Sequence, residues 1–361
     1  MACSLSRRAA AALFVSPLVS AGQPAWKVVH QASPPITIAD FARSESGYLA
    51  AAGRDDKPLI LLSKDGGDWS SHPLPASPVS LCFAGERDLW FTSAGGLWRS
   101  GDLAQTWKLA HRHDSLTRVY FVGTDHGYAL GGNKTVLETI DGGREWNPLP
   151  AAAEPSTHAE YTTYDWIDFA TPRVGVITGV SRPPRTGRTG PLPAWRDPRR
   201  DLRRPEWPSA SITLQTRDGG ATWKHSTTSL FGSITRVRYA RDGRGLALIE
   251  FHDAFEYPSE VFSIDLRTGR SSRAFREKDR AVTDLLVFPG SRAVLAAIEP
   301  PPDPRSSTFG AAHFLVTDDF SNWTGMPIGA PLEAGRLWLA GDSLTSLWAV
   351  SGSGTILRFA A

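Results

Sequence analysis

One short pattern recurs along the chain: a Ser or Thr, any residue, an Asp, a glycine-rich turn and then a Trp. Its tightest copies are Ser63-Lys64-Asp65-Gly66-Gly67-Asp68-Trp69, Thr139-Ile140-Asp141-Gly142-Gly143-Arg144-Glu145-Trp146 and Thr216-Arg217-Asp218-Gly219-Gly220-Ala221-Thr222-Trp223. Ser100-Gly101-Asp102-Leu103-Ala104-Gln105-Thr106-Trp107 keeps the outline without the glycine pair, and the copies at Asp265 and at Asp319 with Trp323 are degenerate. A carboxylate accepts hydrogen bonds from the amides of a tight turn, and the hydroxyl fixes the start of that turn. Glycine supplies the positive φ, and the Trp opens the next strand and covers the edge of the core. Each copy therefore marks a hairpin. Asp65, Asp102, Asp141, Asp218, Asp265 and Asp319, with Trp69, Trp107, Trp146, Trp223 and Trp323, are read as structural residues rather than catalysts or metal ligands.

The spacing selects the architecture. Successive aspartates lie 37, 39, 77, 47 and 54 residues apart. A period near 40 with four short strands per repeat is the signature of a propeller blade. The third repeat is the cleanest, with an inner strand at 117–121 (TRVYF), a second at 127–131 (GYALG) and a third at 135–139 (TVLET) before the turn. In the 77-residue interval the second and third strands (VGVITG and SITLQT) stand about thirty residues apart, so it is one blade with an insertion at 181–210.

Inner strands are expected at 36–41, 79–83, 117–121, 165–169, 235–239, 282–288 and 335–340, one per blade. The fold expected is all-β: a seven-bladed β-propeller of four-stranded antiparallel blades. The last repeat stops after its third strand (Gly354–Phe359), whereas Pro24-Ala25-Trp26-Lys27-Val28-Val29-His30 reads like an outer strand. The N-terminal strand is therefore expected to complete the last blade and close the ring, which removes free sheet edges.

Residues 117–146 (TRVYF…HGYALGG…TVLETIDGGREW) resemble the repeat of the photosystem II stability and assembly factor family. The likeness is good in blades 1 to 4, weaker in 5 to 7, and spans the chain after its leader. It implies an exported seven-bladed propeller. Photosynthetic members bind membrane-protein subunits during assembly and carry no known catalytic centre. The repeat is shared by other Asp-box proteins, including sialidases and some glycosidases, so it specifies fold better than function.

Arg7 and Arg8, an apolar AAAALFVSPLVSA stretch and Val19-Ser20-Ala21 have the layout of a secretory signal over residues 1–21. The expectation is an exported protein, periplasmic or extracellular, whose residues 22–361 form a single propeller. Cys82 is then the only cysteine left and cannot form an internal disulfide, so packing must supply the stability. With 39 basic and 37 acidic residues, the balanced charge gives no pull towards nucleic acid. No cofactor or metal motif stands out, and a monomer is expected.

The insertions all join second to third strands: 181–210 in blade 4, about 252–259 in blade 5 and about 299–311 in blade 6. They therefore rise on the face opposite the Asp-box turns. The blade 4 arm holds eight arginines against three acids, with seven prolines. Arg185, Arg188, Trp195, Arg196, Arg199, Arg200, Arg203, Arg204 and Trp207 read either as a docking element for a protein partner, a membrane-protein complex or an anionic polymer, or as a solvated insertion. Weaker candidates are His111, His113 and Asp114 as a metal site, and Asp165 and Asp168 beside the channel, with Glu160 and Tyr161 just before them. The last group is the basis of the competing readings, a glycoside hydrolase or a carbohydrate-binding propeller. Asp253, Glu256 and Glu260 form an acidic stretch suited to pair with the blade 4 arm.

Overall fold

The computed structural model describes residues 24–183, 208–251, 257–299 and 309–360. They form seven antiparallel sheets arranged as blades. The inner strands are Ile38–Arg43, Pro78–Ala84, Leu116–Phe121, Thr162–Thr171, Gly232–Tyr239, Ala281–Phe288 and Leu337–Ser343. Each sheet continues outward through its second, third and fourth strands, and the sixth gains a short fifth strand, Glu333–Ala334. Among the described residues no helix is long and apolar enough to cross a membrane.

The ring closes as expected. Strand Ala25–Gln31 pairs antiparallel with Thr355–Ala360 and supplies the fourth strand of the last blade. Trp26 is fully buried and stacks on Phe314 of blade 6 with ring centroids 4.2 Å apart. Its amide donates to the Pro327 carbonyl (2.8 Å), and its carbonyl accepts from the Gly329 amide (2.9 Å).

The core lies between blades, where adjacent sheets stack face to face. Tyr128 and Leu130 of blade 3, for example, pack with Tyr164, Ile177, Leu214 and Trp223 of blade 4. The Asp-box turns lock this stacking. Ser100, Thr139 and Thr216 each donate to their aspartate at 2.8 Å, and each hydroxyl accepts the amide four residues on at 2.9 Å. That amide belongs to a glycine in blades 3 and 4. At Gly143 and Gly220 φ is positive, and an added Cβ would strike the Trp90 ring and the Tyr128 hydroxyl of the preceding blade.

The blade 1 copy departs from this geometry. Its segment from Asp65 to Trp69 is one residue shorter than those after Asp102, Asp141 and Asp218. Asp65 itself takes the left-handed conformation, with φ of 59°. The Ser63 hydroxyl bonds the Lys64 carbonyl instead of the aspartate. Asp319, in an equally short turn, keeps the clamp by accepting the Ser321 and Asn322 amides. The outer strands that follow the Asp-box turns also begin later than the Trp positions suggest: of Trp69, Trp107, Trp146, Trp223 and Trp323 only Trp69 lies within its strand, and the blade 3 outer strand is just Asn147–Pro148.

Candidate functional site

Besides a second slip between Phe169 and Thr171 in blade 4, the inner strand of each of the first six blades slips register once, near its start. The slips immediately precede Asp40, Ser80, Arg118, Trp166, Arg236 and Asp284. A bulge re-aims the following side chain. One residue per blade thus stands at the same level around the axis, and Trp338 takes the corresponding place in blade 7.

This level is built from ion pairs around one indole. Trp166 is buried and donates from its ring N–H to the Val237 carbonyl of the next blade (2.7 Å). The guanidinium carbons of Arg118, Arg236 and Arg238 lie 4.0, 4.3 and 4.8 Å from its ring centroid. Arg236 pairs with Asp284 (3.2 Å), Arg238 with Asp168 (3.4 Å) and Arg118 more distantly with Asp40 (3.8 Å).

The three aspartates also stitch neighbouring blades. Asp40 accepts the Leu81 amide (2.9 Å), Asp168 the Tyr239 amide (2.9 Å) and Asp284 the Leu339 amide (2.8 Å). Ser80 does the same for Val119 (3.0 Å). Such occupied oxygens are not arranged as a free acid and base facing across a gap. Asp168 lines the channel, whereas Asp165 lines neither mouth and offers its backbone carbonyl to Arg118 (3.1 Å).

Two mouths open on this plug. On the insertion-bearing face a cavity of about 510 Å³ is lined by Ile36, Ile38, Arg54, Arg118, Arg236, Phe309, Arg336 and Trp338, among others. Among the described residues the lining contains four arginines and no carboxylate. Arg336 reaches Glu250 outside it (3.2 Å), while Arg54 has no carboxylate partner among the described residues. On the Asp-box face a larger cavity of about 750 Å³ is bounded by Asp168, Arg238, Tyr120 and Cys82 on one side and Ala42, Leu286 and Ala340 on the other.

The other sequence candidates fall elsewhere. Arg185, Arg188, Trp195, Arg196, Arg199, Arg200, Arg203, Arg204 and Trp207 lie outside the described residues, as do Asp253 and Glu256. Glu260 pairs with Arg276 of its own blade (2.7 Å). His111 and His113 stack at 6.4 Å, and among the described residues no cluster of three or more His, Cys, Asp or Glu side chains is placed to hold a metal. Glu160 and Tyr161 sit on a short 3-10 turn and line neither mouth. The arginines at Arg118, Arg236 and Arg238 escaped the sequence reading. Their one local signal is a charged residue inside the otherwise apolar inner strands TRVYF and TRVRYA.

Burial and hydrogen bonding move the aspartates in opposite directions. Burial pushes Asp168 up to about 6 despite Arg238, and pushes Asp165 up to about 6 as well. Hydrogen bonds led by the Thr106 and Thr222 hydroxyls hold Asp102 and Asp218 down at about 2. A carboxylate that binds its proton more readily in the folded state adds stability as pH falls through its folded value. One that binds it less readily loses stability below its unfolded value near 4. Thermal melts from pH 8 to pH 3 are therefore expected to rise to a maximum near pH 5 and then fall. Asp168→Asn should flatten the limb between pH 5 and 7. A wild-type profile flat from pH 7 to 5 would contradict this assignment.

No family model matches the chain, and no curated protein matches it. Solved structures do. YCF48 bound to D1 peptide superposes with a TM-score of 0.61 at 14% identity, over 93% of this chain and 97% of that one. YCF48 from Cyanidioschyzon merolae gives 0.58 at 13%, over 93% and 98%. The β-propeller domain of the Trilobed protease from Pyrococcus furiosus gives 0.53 at 10%, over 90% and 95%. At these identities the likeness establishes the propeller fold.

Proposed function

We propose that the chain is a non-enzymatic binding scaffold that holds an acidic segment of a protein partner over the channel mouth of its insertion-bearing face. The observation that carries this reading is the mouth itself: among the described residues, four arginines and no carboxylate, set against the apolar Ile36, Ile38, Phe309 and Trp338. Arg and large apolar side chains around a concave site are the usual anchors of peptide recognition. An extended peptide with one or two carboxylates beside an aliphatic or aromatic residue satisfies both halves of the lining. The fold shared with YCF48, whose structure contains a bound D1 peptide, agrees with a propeller used in this way. The leader-like first 21 residues favour action outside the cytoplasm.

Fluorescence anisotropy with labelled peptides tests the reading. Acidic peptides bearing an aromatic residue are expected to bind in a salt-sensitive manner, and their amidated Gln/Asn counterparts to bind weakly. Arg54→Ala combined with Arg336→Ala should weaken binding by about 10- to 100-fold with little change in thermal stability, because Arg54 is exposed and the one ion pair lost, Arg336–Glu250, is itself partly solvated. Equal affinity for the acidic and neutral peptides, or an unaffected double variant, would remove the proposal.

A further inference from the structure

The cavity on the Asp-box face has an imbalance that the docking reading does not use. Its floor is Trp166 with three guanidinium groups against it. The carboxylates beside the indole are occupied; Asp342 pairs with Arg43, and Glu45 stands exposed at the rim. Asp40 accepts the Phe41 and Leu81 amides, Asp284 accepts the Leu285 and Leu339 amides as well as Arg236, and Asp168 accepts the Tyr239 amide and Arg238. The guanidinium groups are not matched in return. Arg118 donates from Nε to the Asp165 carbonyl (3.1 Å), and its Nη2 stands 3.8 Å from Asp40. Arg238 makes one long bond from Nη1 to Asp168 (3.4 Å), and its buried Nε makes none. Each guanidinium carries five N–H donors.

The Arg118 and Arg238 side chains remain 16% and 28% exposed, so a molecule in the cavity can reach them. Across from them Ala42, Leu286 and Ala340 give an apolar strip, flanked towards the rim by Arg43, Glu45 and Asp342. A volume of about 750 Å³ suits a small molecule. Arg54 and Arg336 line only the other mouth.

We propose that this second mouth binds a small oxyanion with a compact apolar body, its oxygens held by Arg118 and Arg238 and its body against Ala42, Leu286 and Ala340. A planar carboxylate and a tetrahedral phosphate monoester share this chemistry. Arg118 lies between the two mouths, whereas Arg238 lines only this one, so Arg238 separates this site from the docking mouth.

Isothermal titration calorimetry of the full chain with benzoate, phenyl phosphate, inorganic phosphate and uncharged benzamide tests it. Saturable binding of benzoate or phenyl phosphate, and not of benzamide, is the expected result. The stronger of the two identifies the oxyanion, and weaker binding of inorganic phosphate shows the contribution of the apolar strip. Arg238→Gln should weaken binding by about tenfold or more, while Arg54→Ala leaves it unchanged. No binding of either oxyanion, equal binding of benzamide, or an unaffected Arg238→Gln would overturn the proposal. If Arg238→Gln does not fold, a wild-type co-crystal with the tighter ligand decides. An oxyanion about 3 Å from the Arg118 and Arg238 Nη atoms supports the site, and a ligand bound elsewhere refutes it.

Discussion

Trp26→Ala is expected to lower the free energy of unfolding by about 3–5 kcal/mol, the range for removing a large aromatic from a packed core. Trp26 sits at the one seam of the ring not made by consecutive chain. It is fully buried and touches Phe314 of blade 6 and Phe359 of blade 7. It is also the residue through which the N-terminal strand is bonded to the 327–329 segment. The alanine variant leaves a cavity where two blades and the closing strand meet. Urea denaturation followed by circular dichroism measures the effect, and Trp26→Phe is expected to retain part of the loss. Deleting residues 24–31 goes further, because it uncovers the edge of strand Thr355–Ala360. Exposed edges pair with other chains, so the truncated protein should aggregate on mild heating. A Trp26→Ala midpoint within experimental error of wild type would show that closure does not depend on this strand.

The second large effect is expected at Asp284. It is 3% exposed, accepts the Leu285 and Leu339 amides and pairs with Arg236, itself 7% exposed. Asp284→Ala removes the partner of a buried cation and two amide acceptors together. Breaking a buried pair in this way costs about 3–5 kcal/mol, mainly because the surviving charge is stranded. Asp284→Asn keeps the shape and an acceptor and should cost less. Adding Arg236→Met to Asp284→Ala removes the stranded charge and should recover stability relative to the single variant. A double-mutant cycle by chemical denaturation reads the coupling. Additive losses would mean that the two side chains do not act as a pair.

Much of the fold was legible because the features that specify it are local. The Asp-Gly-Gly turns, the placement of Trp and the alternating strands each need only a few consecutive residues. The period near 40 then forces repetition, and the missing fourth strand of the last blade pointed to the N-terminal strand as its complement. The exception at Asp65 was not legible in this way, since Asp319 keeps its hydroxyl partner in a turn of the same length, and what sets Asp65 apart is its left-handed backbone. The positions of the three insertions also followed from strand order.

The channel was only partly legible. Asp168 was placed near the axis, but Arg118, Arg236 and Arg238 were not. Strand parity gives the direction of a side chain only while the alternation of a strand is unbroken, and each inner strand from blade 1 to blade 6 breaks it at least once. The residues concerned are also far apart in sequence: Arg118, Trp166 and Arg236 come from three blades. Their meeting depends on sheet-to-sheet rotation, which no local pattern encodes. The same holds for Asp40, whose carboxylate is read correctly only once Leu81 of the next blade is beside it.

The amino-acid sequence by itself determined the repeating hairpin, the blade count and how the ring closes, since these follow from turn chemistry and apolar periodicity over short spans. Only the tertiary structure decided that three guanidinium groups gather on one indole and that the carboxylates are drawn into blade-to-blade stitching. It also decided that, among the described residues, one mouth is lined by arginines and no acid. Those outcomes depend on distances across the ring, set by bulges and by the packing angle between sheets, and not on which residues are neighbours in the chain.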